Sequence, residues 1–326
     1  MSATAAELAA IRQAWRNGRR PALALATLVE VEGSSYRRPG ARLLINADGS
    51  TVGNLTGGCL DQEIVEAAEN VHRTGCAQVV EYDLRGDEEA VLGWGMGCNG
   101  LLRILVEPAT PSSSMLQLLD QTVVLRKSVQ ITTVVSGPQT GLRRWQVDGE
   151  EARGTLIDRG EHHVFTETLA PAPRVVICGA GDDVPPIARA ATGLGWEVVV
   201  ADHRRALLGP TRFPAGTKLT RTLPPVDSGS YILVMTHNFL RDAEYLSAAL
   251  ASPAAYIGVL GPSRRLQRMR DYLGITAAEA RLRGPAGLDL GGQGPDEIAI
   301  EIIAELLAAA RQRVRTWPER QRSGVR

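Results

Sequence analysis

The hydrophobic and polar positions of residues 1–110 predict strands covered by helices. Apolar and β-branched runs bounded by turns are typical of strands. They cover residues 22–33, 77–84 and 101–108, with a hairpin over 40–55 whose turn is Asp48-Gly49. From Asp61 onward, apolar residues recur on one helical face, which predicts an amphipathic helix, and another amphipathic helix opens the chain. Together these elements predict an α+β N-terminal domain.

Residues 111–173 are predicted to form a connecting, β-rich segment. A helix is expected over 115–128, followed by three short strands joined by glycine-containing turns. The Pro- and Ser-rich stretches at 108–114 and 170–174 have the composition of linkers.

Residues 174–326 show the alternation of buried strands and helices that characterises a doubly wound parallel sheet. Continuous apolar runs predict strands within 174–178, 196–204, 231–238 and 255–262, and a long helix closes the domain. The fold class is therefore α/β, with a C-terminal Rossmann-like domain joined to an α+β N-terminal domain.

The first strand of this domain runs into a glycine turn that is typical of dinucleotide-binding sheets. Gly179 permits a tight turn, and Gly181 lets a pyrophosphate approach the backbone. Asp202 ends the next strand, where an acidic side chain can hold ribose hydroxyls. However, Asp182 and Asp183 place two carboxylates at the helix N-terminus, where they would repel a diphosphate. The alternatives are a dinucleotide site and a Rossmann scaffold that no longer binds one.

Polar groups also follow the later strands. Thr236 and His237 follow one strand, Arg264 follows the next, and Asp289 falls in a glycine-rich stretch beyond it. Because the carboxyl ends of parallel strands form the ligand crevice of such sheets, these four side chains predict a pocket, in which Arg264 could bind a phosphate in bidentate fashion. The alternative is that each residue, His237 included, is structural.

Two cysteines of the N-terminal domain are cradled by glycines. Gly57 and Gly58 precede Cys59 at the start of the predicted helix, where free backbone N–H groups stabilise a thiolate. Cys98 lies in a second glycine-rich stretch, 93–100, and glycines let a large ligand approach the backbone closely. The alternative for Cys59 is a small buried residue packed beside a turn. Neither cysteine has the spacing or partner ligands of a zinc site, so no metal site is predicted.

The cysteine content and the charge balance indicate which compartment and which partners to expect. The remaining cysteines, Cys76 and Cys178, lie next to apolar strands and are predicted to be core residues. Four scattered cysteines and the absence of a secretory signal favour a reducing cytoplasm over a disulfide framework. The 36 basic and 36 acidic residues balance, so neither nucleic acid nor a membrane is an expected partner. No apolar run reaches the ~18 residues needed to span a bilayer.

Several separate stretches occur together in an order that is characteristic of one family. They are EGSSYRRPGARLLINADGSTVGNLTGGCLDQEIVEAA, GMGCNGLLRILVEP, VVICGAGDD, DHR, MTHN, YIGVLGPSRR and GLDLGGQGPDEIAIEIIAEL. In these stretches the chain resembles the xanthine dehydrogenase accessory family, called XdhC/CoxI. The resemblance extends from Ala24 to Ala308 and is least distinctive between 110 and 170.

The resemblance implies a cytoplasmic factor that binds molybdenum cofactor (molybdopterin) and protects it. Such a factor would assist sulfuration of the cofactor with a cysteine desulfurase and pass it to a molybdenum hydroxylase of the xanthine dehydrogenase type, and it is expected to be a homodimer. The resemblance makes Cys59 and Cys98 candidates for contact with the cofactor or for handling its sulfur. Arg38 and Arg42, with Arg37, become candidates for neutralising the pterin phosphate, the alternative being a solvated basic hairpin.

Two other functions stay open from the sequence. One is an NAD(P)-dependent oxidoreductase with His237 as acid/base and the dinucleotide on the glycine turn, and the other is an adaptor that docks a desulfurase onto a hydroxylase. The chain also departs from the family pattern, because Asp182 stands where many members carry a histidine after the glycine turn. Any role of that histidine does not transfer to this chain.

Overall fold

A computed structural model of the chain describes residues 3–18, 21–57, 60–85, 100–154, 163–276 and 279–311. They form two compact units, Met1–Ala172 and Pro173–Arg326. Among the sequence-predicted site residues, Gly58, Cys59 and Cys98 lie outside the described residues. The predicted division of the first unit at residue 110 stays a prediction.

In the described residues, the first unit contains two antiparallel sheets and three helices. Its elements are α1 (Ala5–Asn17), β1 (Ala22–Gly33), β2 (Arg42–Asn46), β3 (Thr51–Gly53), α2 (Asp61–Thr74), β4 (Gln78–Asp83), β5 (Gly100–Pro108), α3 (Ser114–Leu125), β6 (Val129–Val134), β7 (Arg143–Val147), β8 (Arg153–Gly154) and β9 (Val164–Leu169). The larger sheet has the order β3-β2-β1-β5-β4, and the smaller has the order β8-β7-β6-β9. The strands and helices predicted for this region are all present, including the hairpin, whose turn holds Gly49 at φ +76°.

The central strand β1 serves two hydrophobic cores because successive side chains of a strand point to opposite faces. Ala24, Ala26 and Leu28 pack into the core that contains the buried face of α2. Leu25 packs into the other core, with residues of α1, α3 and the smaller sheet. The larger sheet therefore lies between α2 on one face and the remaining elements of the unit on the other.

Two buried ion pairs connect the two sheets. Glu107 on β5 accepts two hydrogen bonds of 2.8 Å from the guanidinium of Arg143 on β7. Both side chains are buried, and Arg143 donates further to Ser114 at 2.9 Å. Arg42 on β2 pairs with Glu167 on β9. A buried ion that loses its partner is strongly destabilising, so these pairs constrain how the smaller sheet sits on the larger one.

The second unit is a six-stranded parallel sheet with helices between the strands. Its elements are β10 (Arg174–Cys178), α4 (Val184–Gly193), β11 (Glu197–Ala201), β12 (Lys218–Thr220), β13 (Ser230–Val234), α5 (Phe239–Leu250), β14 (Tyr256–Val259), α6 (Ser263–Leu273), β15 (Leu282–Arg283) and α7 (Pro295–Ala310). The strand order β12-β11-β10-β13-β14-β15 is that of a Rossmann fold, which confirms the predicted fold class. The strand order reverses between β10 and β13, and ligands of such sheets bind outside that point.

The two described cysteines differ in exposure. Cys178 at the end of β10 is fully buried, as predicted, and burial raises the pKa of its thiol. The prediction that Cys76 belongs to the core is wrong, because its side chain is exposed. Gly75 ends α2 in the left-handed region at φ +69°, and Cys76 therefore lies in the surface turn before β4. Within the described ranges, every helix is too short or too polar to span a bilayer.

Replacing Glu107 by alanine should destabilise the first unit by about 3–5 kcal/mol, because Arg143 would keep its charge in a buried site without a partner. Urea-induced unfolding followed by hydrogen exchange of β5 and β7 peptides measures the change. The matched control is Glu150→Ala, which removes only partly exposed pairs with Lys127 and Arg153 and should shift the transition little. Equal shifts in the two variants would show that the buried pair has no special role.

Candidate functional site

The glycine turn after β10 is pressed against the end of β13. Gly179 has φ +134°, and a Cβ atom there would lie 2.5 Å from the carbonyl oxygen of Met235. Its N–H donates to the carbonyl oxygen of Ala201 at 2.8 Å. Gly179 thus fixes the start of the turn at the point where the strand order reverses, and only glycine fits there.

Asp202, the acidic residue predicted to hold ribose hydroxyls, is fully buried and its carboxylate is already occupied. The N–H of Ala180 donates to Oδ2 at 2.8 Å, and the Arg204 side chain donates to Oδ1 at 3.0 Å and to Oδ2 at 2.7 Å. The backbone N–H of Arg204 adds a bond to Oδ1 at 2.8 Å. Burial raises the pKa of Asp202, but the hydrogen bonds from Arg204 outweigh it and hold the pKa below its usual range. Both carboxylate oxygens serve the protein itself.

A second arginine covers the glycine turn. Arg212 donates from Nη1 to the carbonyl oxygens of Ala180 and Leu207, both at 2.9 Å. Its Nη2 donates to Asp182 Oδ1 at 2.7 Å. The Asp182 carboxylate, which sequence analysis expected to repel a diphosphate, is therefore paired with an arginine from a distant segment, and the carboxylate itself is fully exposed to solvent.

Asp183 and His237 bridge the two strands at the reversal of strand order. His237 Nε2 lies 2.7 Å from Asp183 Oδ2, and His237 occupies the left-handed region at φ +62°, which is uncommon for a residue other than glycine. A Cβ at Gly181 would lie 2.7 Å from Asp183 Oδ1, so the glycine makes room for this carboxylate. The predicted residues Gly179, Gly181 and His237 are thus brought together, with Asp183 among them.

Thr236 belongs to a neighbouring network on Asp242. Its N–H and hydroxyl both donate to Asp242 Oδ1, at 2.8 and 2.6 Å, and Asp242 is buried. Arg265 donates to the other oxygen, Oδ2, at 2.6 Å. The sequence predicts Arg264 as the arginine at this strand end, but Arg264 is exposed. The arginine that binds Asp242 is Arg265, the next residue on α6.

Asp289 lies on an exposed loop between β15 and α7. The loop is held by α7, since Glu301 Oε1 accepts from the N–H groups of Leu290 and Gly292 at 3.0 and 2.7 Å. Among the described contacts, none connects Asp289 or Arg264 with His237. The pocket predicted from these strand ends therefore divides into a connected group around His237 and two separate surface positions.

In the first unit, the residues that flank the two predicted cysteines pack against one segment. A Cβ on Gly57, which has φ +79°, would lie 3.6 Å from the ring of Tyr36. A Cβ on Gly100 would lie 2.6 Å from the carbonyl oxygens of both Glu32 and Ser34. Residues 34–36 therefore contact both glycine-rich stretches at their described ends.

The three arginines of SSYRRPGAR differ in accessibility. Arg38 is exposed. Arg37 is buried and donates to both carboxylate oxygens of Glu7 on α1, at 2.7 and 2.8 Å. Arg42 is 1% exposed and holds Glu167, so a ligand could reach it only if that pair opened. The solvated basic hairpin, the alternative from the sequence, describes Arg38 but neither of the other two.

The described residues contain no cluster of three or more His, Cys, Asp or Glu side chains arranged to hold a metal ion.

Comparison with known proteins shows which family the chain is similar to. Residues 175–306 match the family described as XdhC Rossmann domain, and residues 14–83 match the XdhC and CoxI family. A crystal structure described as a xanthine dehydrogenase from Bacillus halodurans superposes with a TM-score of 0.79 at 30% identity, covering 99% of this chain and 98% of that one. The chain belongs to the XdhC and CoxI family.

Two further proteins match most of the chain. A Bacillus subtilis protein, described as a probable xanthine dehydrogenase subunit, is 27% identical over 87% of this chain and 92% of its own length. A protein named molybdenum cofactor insertion chaperone PaoD, from Escherichia coli, is 24% identical over 86% of this chain and 81% of its own length. The match to each relative thus covers much more than either domain alone.

Sequence reasoning missed four residues that shape the second unit, Pro173–Arg326, which we call the Rossmann unit. They are Arg204, Arg212, Asp242 and Arg265. Arg204 had a local indication, because it follows Asp202 by two residues and can fold back onto it. Arg212 and Arg265 reach partners that are 30 and 23 residues away, and nothing in the local pattern specifies such contacts.

Replacing Asp202 by asparagine should destabilise the Rossmann unit at neutral pH by about 1.5–3 kcal/mol, since hydrogen bonds to a charged group are lost. The lowered pKa means that this stabilisation is present above about pH 4, the usual range of an aspartate, and is lost as the pH falls through the lowered pKa. Urea-induced unfolding, followed by hydrogen exchange of β10 and β11 peptides, should show the difference from wild type shrinking in acid. A difference that stays constant would contradict a role for the charge.

Proposed function

We propose that the chain is a non-catalytic maturation factor that binds molybdenum cofactor and delivers it to a molybdenum hydroxylase of the xanthine dehydrogenase type. The observation that carries the proposal is the similarity to the molybdenum cofactor insertion chaperone, which extends over 86% of this chain and 81% of that protein. The cofactor is cargo here, a ligand to be received and passed on.

The first unit supplies the proposed cargo contacts. The described ends of the two cysteine-containing stretches, Gly57 and Gly100, both pack on residues 34–36, which supports one shared site for Cys59 and Cys98. A thiolate next to glycines suits a large, sulfur-bearing ligand, because no side chain blocks its approach.

The described surface beside this segment fits an anionic pterin. The Tyr36 ring is 57% exposed and offers a flat face on which a pterin can stack. Arg38 is exposed and, among the described residues, forms no ion pair that a phosphate would have to break, whereas Arg37 and Arg42 are engaged with carboxylates. We therefore assign the phosphate contact of this unit to Arg38. Arg42 could contact the phosphate as well only after Glu167 moved away from it.

The finer points of the proposal concern partners. A cysteine desulfurase would supply sulfur to the bound cofactor while Cys59 and Cys98 hold it, the protein would act as a homodimer, and it would do so in the cytoplasm. The adaptor alternative differs in one respect, since it requires no cargo contact from either cysteine.

Protein purified anaerobically from cells that make molybdenum cofactor should retain near-stoichiometric pterin and molybdenum. Cys59→Ser and Cys98→Ser should each lose most of the pterin, because the proposed sulfur contacts disappear. Pterin is measured by fluorescence after oxidation, and molybdenum by mass spectrometry. Cys76→Ser is the matched control, since this exposed cysteine lies in another turn and its loss should leave retention unchanged. Wild-type protein without pterin would contradict the carrier function, and unchanged retention in both cysteine variants would favour the adaptor.

The oxidoreductase alternative meets a physical obstacle at the glycine turn. Asp202 has its oxygens engaged by Arg204 and Ala180, and Arg212 covers the turn where a pyrophosphate would sit. A dinucleotide would have to displace Arg204 from Asp202 to bind its ribose there, and its pyrophosphate would meet the Arg212–Asp182 pair at the turn.

For this reason NAD⁺ and NADP⁺ should raise the melting temperature no more than AMP does at the same concentration. In an open dinucleotide site, the pyrophosphate and nicotinamide would add affinity, and a ligand at ~100 times its Kd stabilises by about 2.7 kcal/mol. Thermal unfolding with each ligand measures the difference. A shift with NAD⁺ clearly larger than that with AMP would restore the dehydrogenase hypothesis.

A further inference from the structure

A groove of about 400 Å³ opens on the Rossmann unit beside Asp202. It is lined by His203, Arg221, Thr222, Arg241, Glu244 and Tyr245. None of these residues is among the candidate site residues predicted from the sequence, and all of them lie within the described ranges. The volume is within the range of ~300–1,000 Å³ that small-ligand sites occupy.

The position of the groove follows from the topology of the sheet. His203 is the second residue after β11, and Arg221 and Thr222 follow β12, so they lie at the carboxyl ends of these strands. The other three residues lie within the first seven residues of α5, which follows β13. The groove is therefore at the edge of the sheet where ligands of doubly wound folds bind, beside Asp202, whose carboxylate accepts from the Ala180 N–H in the glycine turn.

The charges of the groove favour an anion. Arg241 Nη1 pairs with Glu244 Oε2 at 2.7 Å, and both side chains are substantially exposed. Among the described residues Arg221 forms no ion pair, so it adds an uncompensated positive charge. Guanidinium groups present a planar fork of donors that matches the oxygens of a phosphate.

Neutral groups complete the lining. Burial raises the pKa of Tyr245 to about 12, so its hydroxyl keeps its proton at neutral pH and can donate. The Thr222 hydroxyl is a second neutral donor, and the Tyr245 ring, which also packs against the core, gives the groove an apolar wall.

We propose that this groove binds a phosphate monoester carried on a flat heteroaromatic ring, with Arg221 and Arg241 on the phosphate and Tyr245 beside the ring. Two natural sources have this chemistry, a pterin phosphate and a free nucleotide. Identifying the pterin as the natural source rests on the proposed function, whereas the preference for phosphate does not. If the pterin is the source, the Rossmann unit holds cargo as well as the cysteine-bearing unit.

The test compares matched ligands that differ only in the phosphate. One pair is AMP and adenosine, and the other is the oxidised fluorescent pterin phosphate from molybdenum cofactor and the same pterin after phosphatase treatment. Binding to the full-length protein is measured by equilibrium dialysis. The phosphorylated member of at least one pair should bind at least about tenfold more tightly than its partner, because charged hydrogen bonds to two arginines are gained.

Variants then locate the site. Arg221→Gln and Arg241→Gln should each weaken binding of the phosphorylated ligand about tenfold, and Glu244→Gln should strengthen it, since Arg241 is released from its pair. Arg268→Gln, on the exposed face of α6, is the control and should bind as wild type does. The variants alter exposed side chains, so unchanged melting temperatures in the absence of ligand verify folding.

The binding measurements identify the ligand source and test the proposal itself. Tighter binding of the pterin phosphate than of AMP identifies the cargo as the source, and the reverse identifies a nucleotide. Equal binding of phosphorylated and dephosphorylated ligands, no binding of either pair, or wild-type affinity in Arg221→Gln and Arg241→Gln would overturn the proposal. Cofactor retention in purified wild type is scored separately, so its absence counts against the carrier function even where the groove binds phosphate.

Discussion

The glycine turn of the Rossmann unit depends on a buried charge, the carboxylate of Asp202. An ion removed from water costs several kcal/mol unless partners replace its hydration, and here the backbone of Ala180 and the side chain of Arg204 do so. These bonds join the turn after β10 to the end of β11 and fix both. With the turn fixed, Arg212 can cover its carbonyl groups and hold Asp182. A residue type that binds ribose in other sheets of this topology serves here as an internal connector.

The first unit uses the same principle between its sheets. Glu107 and Arg143 are both buried and bound in bidentate fashion, and Arg42 reaches Glu167 across the same interface. Apolar contacts between the sheets are non-directional and tolerate sliding, whereas a buried pair permits one register. The position of the smaller sheet, and of the segment around residues 34–36 that adjoins the larger one, is set by these pairs together with the cores on either face of β1.

What the sequence could predict was local. The strand that ends in Gly179 and the acid that ends the next strand are determined by periodicity and spacing, and both lie where expected. Contacts between distant residues were not predictable, because Arg212 and Arg265 choose partners through the fold and have no pattern of their own. Exposure of a single residue was equally uncertain: Cys76 adjoins an apolar strand in sequence, yet a helix end places it in a surface turn. The family motifs indicated which residues matter, and the structure showed which side chains are already engaged by others.

The contacts that cover the glycine turn also bear on the proposed carrier function. Many Rossmann proteins rely on a resident dinucleotide to neutralise and order this edge of the sheet, so that the empty protein is less stable by the free energy of binding. Here arginines and carboxylates of the chain itself take that place. For the proposed carrier, these internal contacts would hold the turn in place both before and after cargo is released.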